Sequence, residues 1–199
     1  MVLDRTKHYF FDDLVIYLFS MISFTLTHEL YISGKAGIYQ EKHRIALTAK
    51  QLNKNLHFYP AKCLNPFFRQ LLWPNQLNFQ EEKINQVPPY QALPLNVYEK
   101  PSFAFLLSMF VNFYERYIPS IENKFTQNRL NWPDEWNFGR VVRNTLSHGG
   151  RINFDNPNAL PVYWKLLTYM PKDNGRQIIH TDLWPGDIIY LMSDMNSYL

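Results

Sequence analysis

Seven of the thirteen prolines in this 199-residue chain fall between residues 58 and 101, at Pro60, Pro66, Pro74, Pro88, Pro89, Pro94 and Pro101. Proline locks φ at about −65° and has no N–H to donate, so it continues neither a helix nor a central strand. The stretch therefore predicts irregular coil, with one short helix near Phe67–Trp73. A connection of that length packs over a core, or serves as a lid or interface arm. Regular structure has to come from the residues on either side.

Those flanks read as helices. The first runs over about 9–32, with Gly34 and Gly37 ending it. Leu14 to Leu26 is almost wholly apolar and is bounded by Asp12-Asp13 and His28-Glu29. Thirteen residues fall short of the roughly 20 that a bilayer requires, and no basic start or small-residue cleavage site marks a signal peptide. A helix buried in the core or at a dimer seam is the expectation, with Asp12-Asp13 favouring its positive N-terminal end. A weaker helix is predicted over 40–55, where His43, Arg44, Lys50 and Lys54 suit a solvated face.

A long helix follows over 102–127, with Phe105, Leu106, Met109, Phe110, Phe113 and Tyr117 at helical spacing. Pro119 should kink or split it. A further helix spans 135–147, after Pro133-Asp134, and Gly149-Gly150 closes it. Near the C-terminus, 162–169 and 177–181 resemble two strands around the turn at 171–175. A last helix follows Pro185-Gly186-Asp187, with Asp187 as its N-cap. The expected architecture is a mainly α, all-α-type helical bundle forming one domain over 1–199. Residues 58–101 are its proline-rich insertion, and 161–199 a hairpin-plus-helix appendage.

Composition narrows the function classes. The chain is 46% hydrophobic, which suits a globular fold, and 17% aromatic, led by 15 Phe and 13 Tyr. The rings build a core first, but an excess can also stack on bases or line a subunit interface. Net charge is +3, which permits an RNA partner provided the basic footprint is local. The single cysteine, Cys63, rules out an internal disulfide and a cysteine-based zinc site, and reads as a small buried apolar residue. The cytoplasm is the expected location, with no membrane role.

The densest chemistry lies in Arg143-Asn144-Thr145-Leu146-Ser147-His148. With Arg140 at zero on a helical wheel, Arg143, Asn144, Ser147, His148 and Arg151 all lie within about 80° of it. Val141, Val142, Thr145 and Leu146 take the opposite side. Arginine offers planar donors to phosphate, and histidine exchanges protons near neutral pH. A merely solvated polar face is the competing reading, although this one lacks the usual lysines and glutamates. Elsewhere, His28-Glu29 lacks a second histidine at residue 32, which is Ile32. No phosphate-binding glycine loop, Gly-x-Ser-x-Gly elbow or metal-spaced His/Cys set occurs, so no cofactor or metal is expected.

Arg143, four intervening residues and His148, with Asn144 directly after the arginine, resemble the motif of the HEPN superfamily (higher eukaryotes and prokaryotes nucleotide-binding). The preceding apolar helices resemble those expected before it, over about half the chain. The resemblance implies a metal-independent endoribonuclease, with His148 as base or acid and Arg143 stabilising the charged phosphorane-like state. Asn144 would orient the imidazole or the phosphate. Arg140, Ser147 and Arg151 would contact flanking RNA, and Glu115 would support the arginine. It further implies a homodimer whose two motifs share a cleft, a toxin or phage-defence role, and a neutralising partner such as a minimal nucleotidyltransferase. The alternatives are a related protein that binds RNA or a nucleotide, or regulates a partner, without cutting, and a helical interaction protein with an aromatic docking surface.

Overall fold

The computed structural model describes residues 1–33, 43–59, 75–84 and 99–199. Its elements overturn the mainly α, all-α bundle: the architecture is mixed α/β, and the described residues form a four-stranded antiparallel sheet, a two-stranded sheet and four α-helices. In chain order they are β1 (Val2–Asp4), α1 (Phe11–Ser33), β2 (Ile45–Ala49), β3 (Lys54–Phe58), β4 (Gln76–Lys83), α2 (Glu99–Phe125), α3 (Asp134–Ser147), β5 (Val162–Trp164), β6 (Leu167–Tyr169) and α4 (Pro185–Asn196). Cys63, the short helix over 67–73 and the glycines expected to end the first helix lie outside the described residues.

The chain divides into two compact units. The first comprises Met1–Thr48 and Lys54–Leu106, and the second Ala49–Asn53 and Leu107–Leu199. In the first, the sheet order is β1-β4-β3-β2. Leu3 stands opposite Leu77, and Phe58 opposite Phe79, so alternate residues line one apolar face. This is where the helix expected over 40–55 fails. Ile45, Leu47 and Ala49 are buried at a spacing of two, and Asn53, at φ 50°, turns the chain back into β3. The proline-rich stretch likewise holds β4, whose buried Leu77 and Phe79 alternate with exposed neighbours. Pro74 and Pro88 bracket that strand without interrupting it. The opposite face is polar: Glu82 meets Arg44 at 3.1 Å and His57 at 3.3 Å. The first helix forms as expected, with Asp12 and Asp13 in its first turn.

In the second unit α3 is the central element. Trp136 is fully buried, packs against Phe113 and Tyr114 of α2, and donates its indole N–H to the Met195 carbonyl of α4 at 3.0 Å. Phe138 stacks on Tyr169 and meets Trp164, closing the β5–β6 hairpin onto α3. Gly139 lets α4 approach, since a Cβ there would stand 2.9 Å from the Met195 sulfur. Such burial is worth roughly 25 cal/mol per Å² of apolar surface, so these rings dominate the unit's stability. The split expected at Pro119 does not occur, because one missing N–H costs α2 a single hydrogen bond while Tyr114 and Ile121 stay buried on either side. Phe105, expected on the apolar face, is half exposed.

The C-terminal pairing also differs from expectation. The hairpin turns at Lys165 and Leu166 and pairs Val162 with Tyr169, while Pro171–Asp173 forms a short 3-10 turn. Asp187 is not the N-cap of α4. Trp184 holds that position, and Asp187, three residues on, accepts from its N–H at 3.0 Å. The same carboxylate accepts from the backbone N–H groups of Lys50 and Gln51, at 3.0 and 3.1 Å. Among the described residues no helix is long and apolar enough to cross a membrane.

Burial pushes the Asp187 carboxyl from an ordinary 3.8 up to about 6, against the pull of its three N–H donors. Between those values the folded protein holds a proton that the unfolded chain has released. The contribution to stability is therefore complete below about pH 4 and lost as pH rises through about 6, amounting to about 3 kcal/mol. Urea unfolding across that window should show wild type losing stability relative to Asp187→Asn. A pH-independent difference between the two proteins would contradict this.

Candidate functional site

The site is built on the C-terminal end of α3. Val141, Val142 and Thr145 are fully buried, and the Thr145 hydroxyl donates to the Val141 carbonyl at 2.8 Å. With that side anchored, the helical period turns Arg140, Arg143 and Asn144 the other way. They are only partly covered.

Two polar groupings result. In the first, the Arg143 Nε donates to Glu115 Oε1 at 2.5 Å across α2 and α3, and its Nη1 donates to Asn144 Oδ1 at 3.2 Å. Both charged side chains are more than a third exposed, at 38% and 47%. A pair exposed in this way adds about 0–1 kcal/mol of stability. Its effect is to orient: Glu115 and Asn144 hold the guanidinium plane while leaving it open to solvent. The Oδ1 of Asn144, a residue expected to orient the imidazole or the phosphate, accepts from Arg143.

In the second grouping, α3 ends at Ser147 and His148 forms its C-cap. Gly149 and Gly150, at φ 65° and 84°, reverse the chain, and the Gly150 N–H closes the helix on the Thr145 carbonyl at 2.9 Å. His148 is exposed, with its Nε2 3.0 Å from the Asn153 Nδ2. That same Nδ2 donates to Asp155 Oδ1 at 3.1 Å. Arg140 feels the Asp155 charge of this grouping. Its Nε is buried and has no hydrogen-bond partner among the described residues. Burial first, and then the charge of Arg129, hold its pKa below the ordinary value, while Tyr114 and Asp155 act in the opposite sense. A guanidinium remains charged even so. Arg151, expected to contact flanking RNA, is exposed and donates from Nη1 to the Gly175 carbonyl at 2.8 Å.

The structure thus brings Glu115, Arg143 and Asn144 together, and sets His148 at the next turn with different companions. Arg129, Asn153 and Asp155 join the site and had not been singled out. The run Ile152-Asn153-Phe154-Asp155 carried the signal: Ile152 and Phe154 are buried, so a period of two sends Asn153 and Asp155 to the same outer side. Among the described residues no group of three or more His, Cys, Asp or Glu side chains is arranged to hold a metal ion. No family model, curated protein or solved structure matches the chain.

The turn after α3 is sensitive to one atom. A Cβ on Gly150 would stand 2.5 Å from the Gln177 side chain and 3.2 Å from the Ile179 Cβ, whereas nothing lies within 4 Å of one on Gly149. Gly150→Ala should therefore lose about 2–3 kcal/mol of stability and Gly149→Ala about 1, since both carry the left-handed strain but only the first also clashes. Thermal unfolding checks the order, which equal losses would contradict.

Proposed function

We propose that the chain is a metal-independent endoribonuclease of the HEPN type, acting as a homodimer on RNA. The reading rests on one observation: Arg143, clasped by Glu115 and Asn144, sits in the last turn of α3, and that helix ends on an exposed His148. Cleavage without metal requires a base for the 2′-OH, a proton for the departing 5′-oxygen and positive charge on the phosphate. The 2′-oxygen attacks phosphorus, the bond to the 5′-oxygen breaks, and a 2′,3′-cyclic phosphate remains. Arg143 faces the non-bridging oxygens, and His148 handles the proton.

Five residues on an ideal helix separate side chains by about 7.5 Å along the axis and about 140° around it. One copy therefore offers its arginine and histidine in diverging directions, and a second copy, related by a two-fold axis, supplies the missing group. Toxin or phage-defence activity, with a neutralising partner such as a minimal nucleotidyltransferase, belongs to the same proposal, as does a cytoplasmic location. Binding of RNA or a nucleotide without cleavage is the second reading. Arg140 favours it, because its partly covered guanidinium adds a second cation to the Arg143 side of α3 whether or not His148 acts.

Purified wild type and His148→Ala, incubated with total RNA in EDTA, separate the two. Wild type should leave 2′,3′-cyclic phosphate ends, and the variant should be slower by at least about 100-fold while remaining a folded dimer. RNA bound equally by both proteins and cut by neither would move the assignment to the binding reading.

A further inference from the structure

Asn153 lies outside the Arg-x4-His motif, yet it is the residue that holds the His148 ring. Its segment is anchored on both sides. Ile152 and Phe154 are buried, the Ile152 N–H donates to the Arg176 carbonyl at 2.9 Å, and the Phe154 N–H donates to Asn174 Oδ1 at 2.7 Å. The Asn174 amide returns a bond to the Phe154 carbonyl at 3.0 Å. A side chain on so constrained a backbone is preorganised before any ligand arrives.

The direction of the Asn153 carboxamide follows from Asp155. A carboxylate only accepts, so the amide nitrogen, not its oxygen, faces Asp155 Oδ1 at 3.1 Å. That nitrogen carries two hydrogens, and the second points to His148 Nε2 at 3.0 Å. Turning the amide over would set oxygen against carboxylate. Nε2 is thus an acceptor, and the ring proton is on Nδ1. The Asp155 charge in turn acts on Arg140, so the grouping is electrically tied to the basic face of α3.

We infer that Asn153, oriented by Asp155, is a positioning residue that holds His148 as the neutral Nδ1–H tautomer with its lone pair on Nε2, making Nε2 the general base of the site. The inference rests on the ribonuclease reading for its chemistry, but the tautomer itself does not. The substrate 2′-OH takes the place of the Asn153 amide at Nε2 and gives its proton there. The ring becomes an imidazolium as the 2′-oxygen bonds to phosphorus, and the 5′-oxygen leaves with a proton from the second copy's imidazolium or from water. His148, named earlier as base or acid, is the base in this arrangement.

Nitrogen chemical shifts of histidine-labelled protein, read well above neutral pH, report the tautomer directly. Wild type should show His148 as Nδ1–H. Asn153→Asp places an acceptor at the same position and should reverse it to Nε2–H, and Asn153→Ala should release it toward the Nε2–H form that an unconstrained imidazole favours. Cleavage should fall about 10-fold in Asn153→Ala and about 100-fold in Asn153→Asp, with the dimer intact. His148 resonances unchanged in both variants, or an Nε2–H wild type, would overturn the inference. If the tautomer responds as expected while wild type cuts no RNA, the positioning role stands and the ribonuclease reading falls.

Discussion

The burial of Trp136 is the constraint on which the second unit depends. Its indole needs both an apolar enclosure and an acceptor for its N–H, and it finds them in Phe113, Tyr114 and the Met195 carbonyl. Satisfying that one side chain brings α2 and α4 onto α3 and sets the rotation of α3 about its axis. Once rotation is set, the helical period decides everything on the far side: Arg140, Arg143 and Asn144 turn away from the core together. The site is in this sense a consequence of a hydrophobic decision made one and two turns earlier.

What the polar face then does is determined by its partners more than by its residue types. Arg143 is clasped from α2 by Glu115, and its neighbour Asn144 closes the other side of the guanidinium. His148 belongs to a different neighbourhood, because the left-handed Gly149-Gly150 turn redirects the chain into residues 151–155. Asn153 and Asp155 reach the imidazole by that route. Arg140 stands by with a buried Nε that has no partner among the described residues, next to the charge of Arg129. An arginine pair, an imidazole and two carboxylates are thus each positioned by a different element.

The long helices were legible because their signals are strong and repeated. Leu14, Val15, Leu18, Met21 and Ile22 of α1, Phe110 and Phe113 of α2, and Val141, Val142 and Thr145 of α3 are buried at helical spacing. The sheet was not legible, for identifiable reasons. Ile45, Leu47 and Ala49 alternate over too short a span to outweigh the lysines around them, and β4 is a single strand inside a run of prolines. A strand is stabilised by partners distant in sequence, such as Leu3 opposite Leu77, so no local window contains the reason that it forms. The hairpin was misplaced because the turn residues at 171–175 are the more obvious ones, whereas the actual reversal uses Lys165 at φ 52°.

The sequence by itself determined that helices form around α1, α2, α3 and α4, and that α3 has one apolar and one cationic side, because both follow from local periodicity. It also placed Glu115, Arg143, Asn144 and His148 among the residues to watch. Only the tertiary structure decided that Glu115 and Asn144 both serve Arg143, that Asn153 and Asp155 serve His148, and that Arg151 is tied to the Gly175 carbonyl. Hydrogen-bond partners are chosen by distance and direction across about 3 Å, and those are properties of how elements pack rather than of any residue's place in the chain.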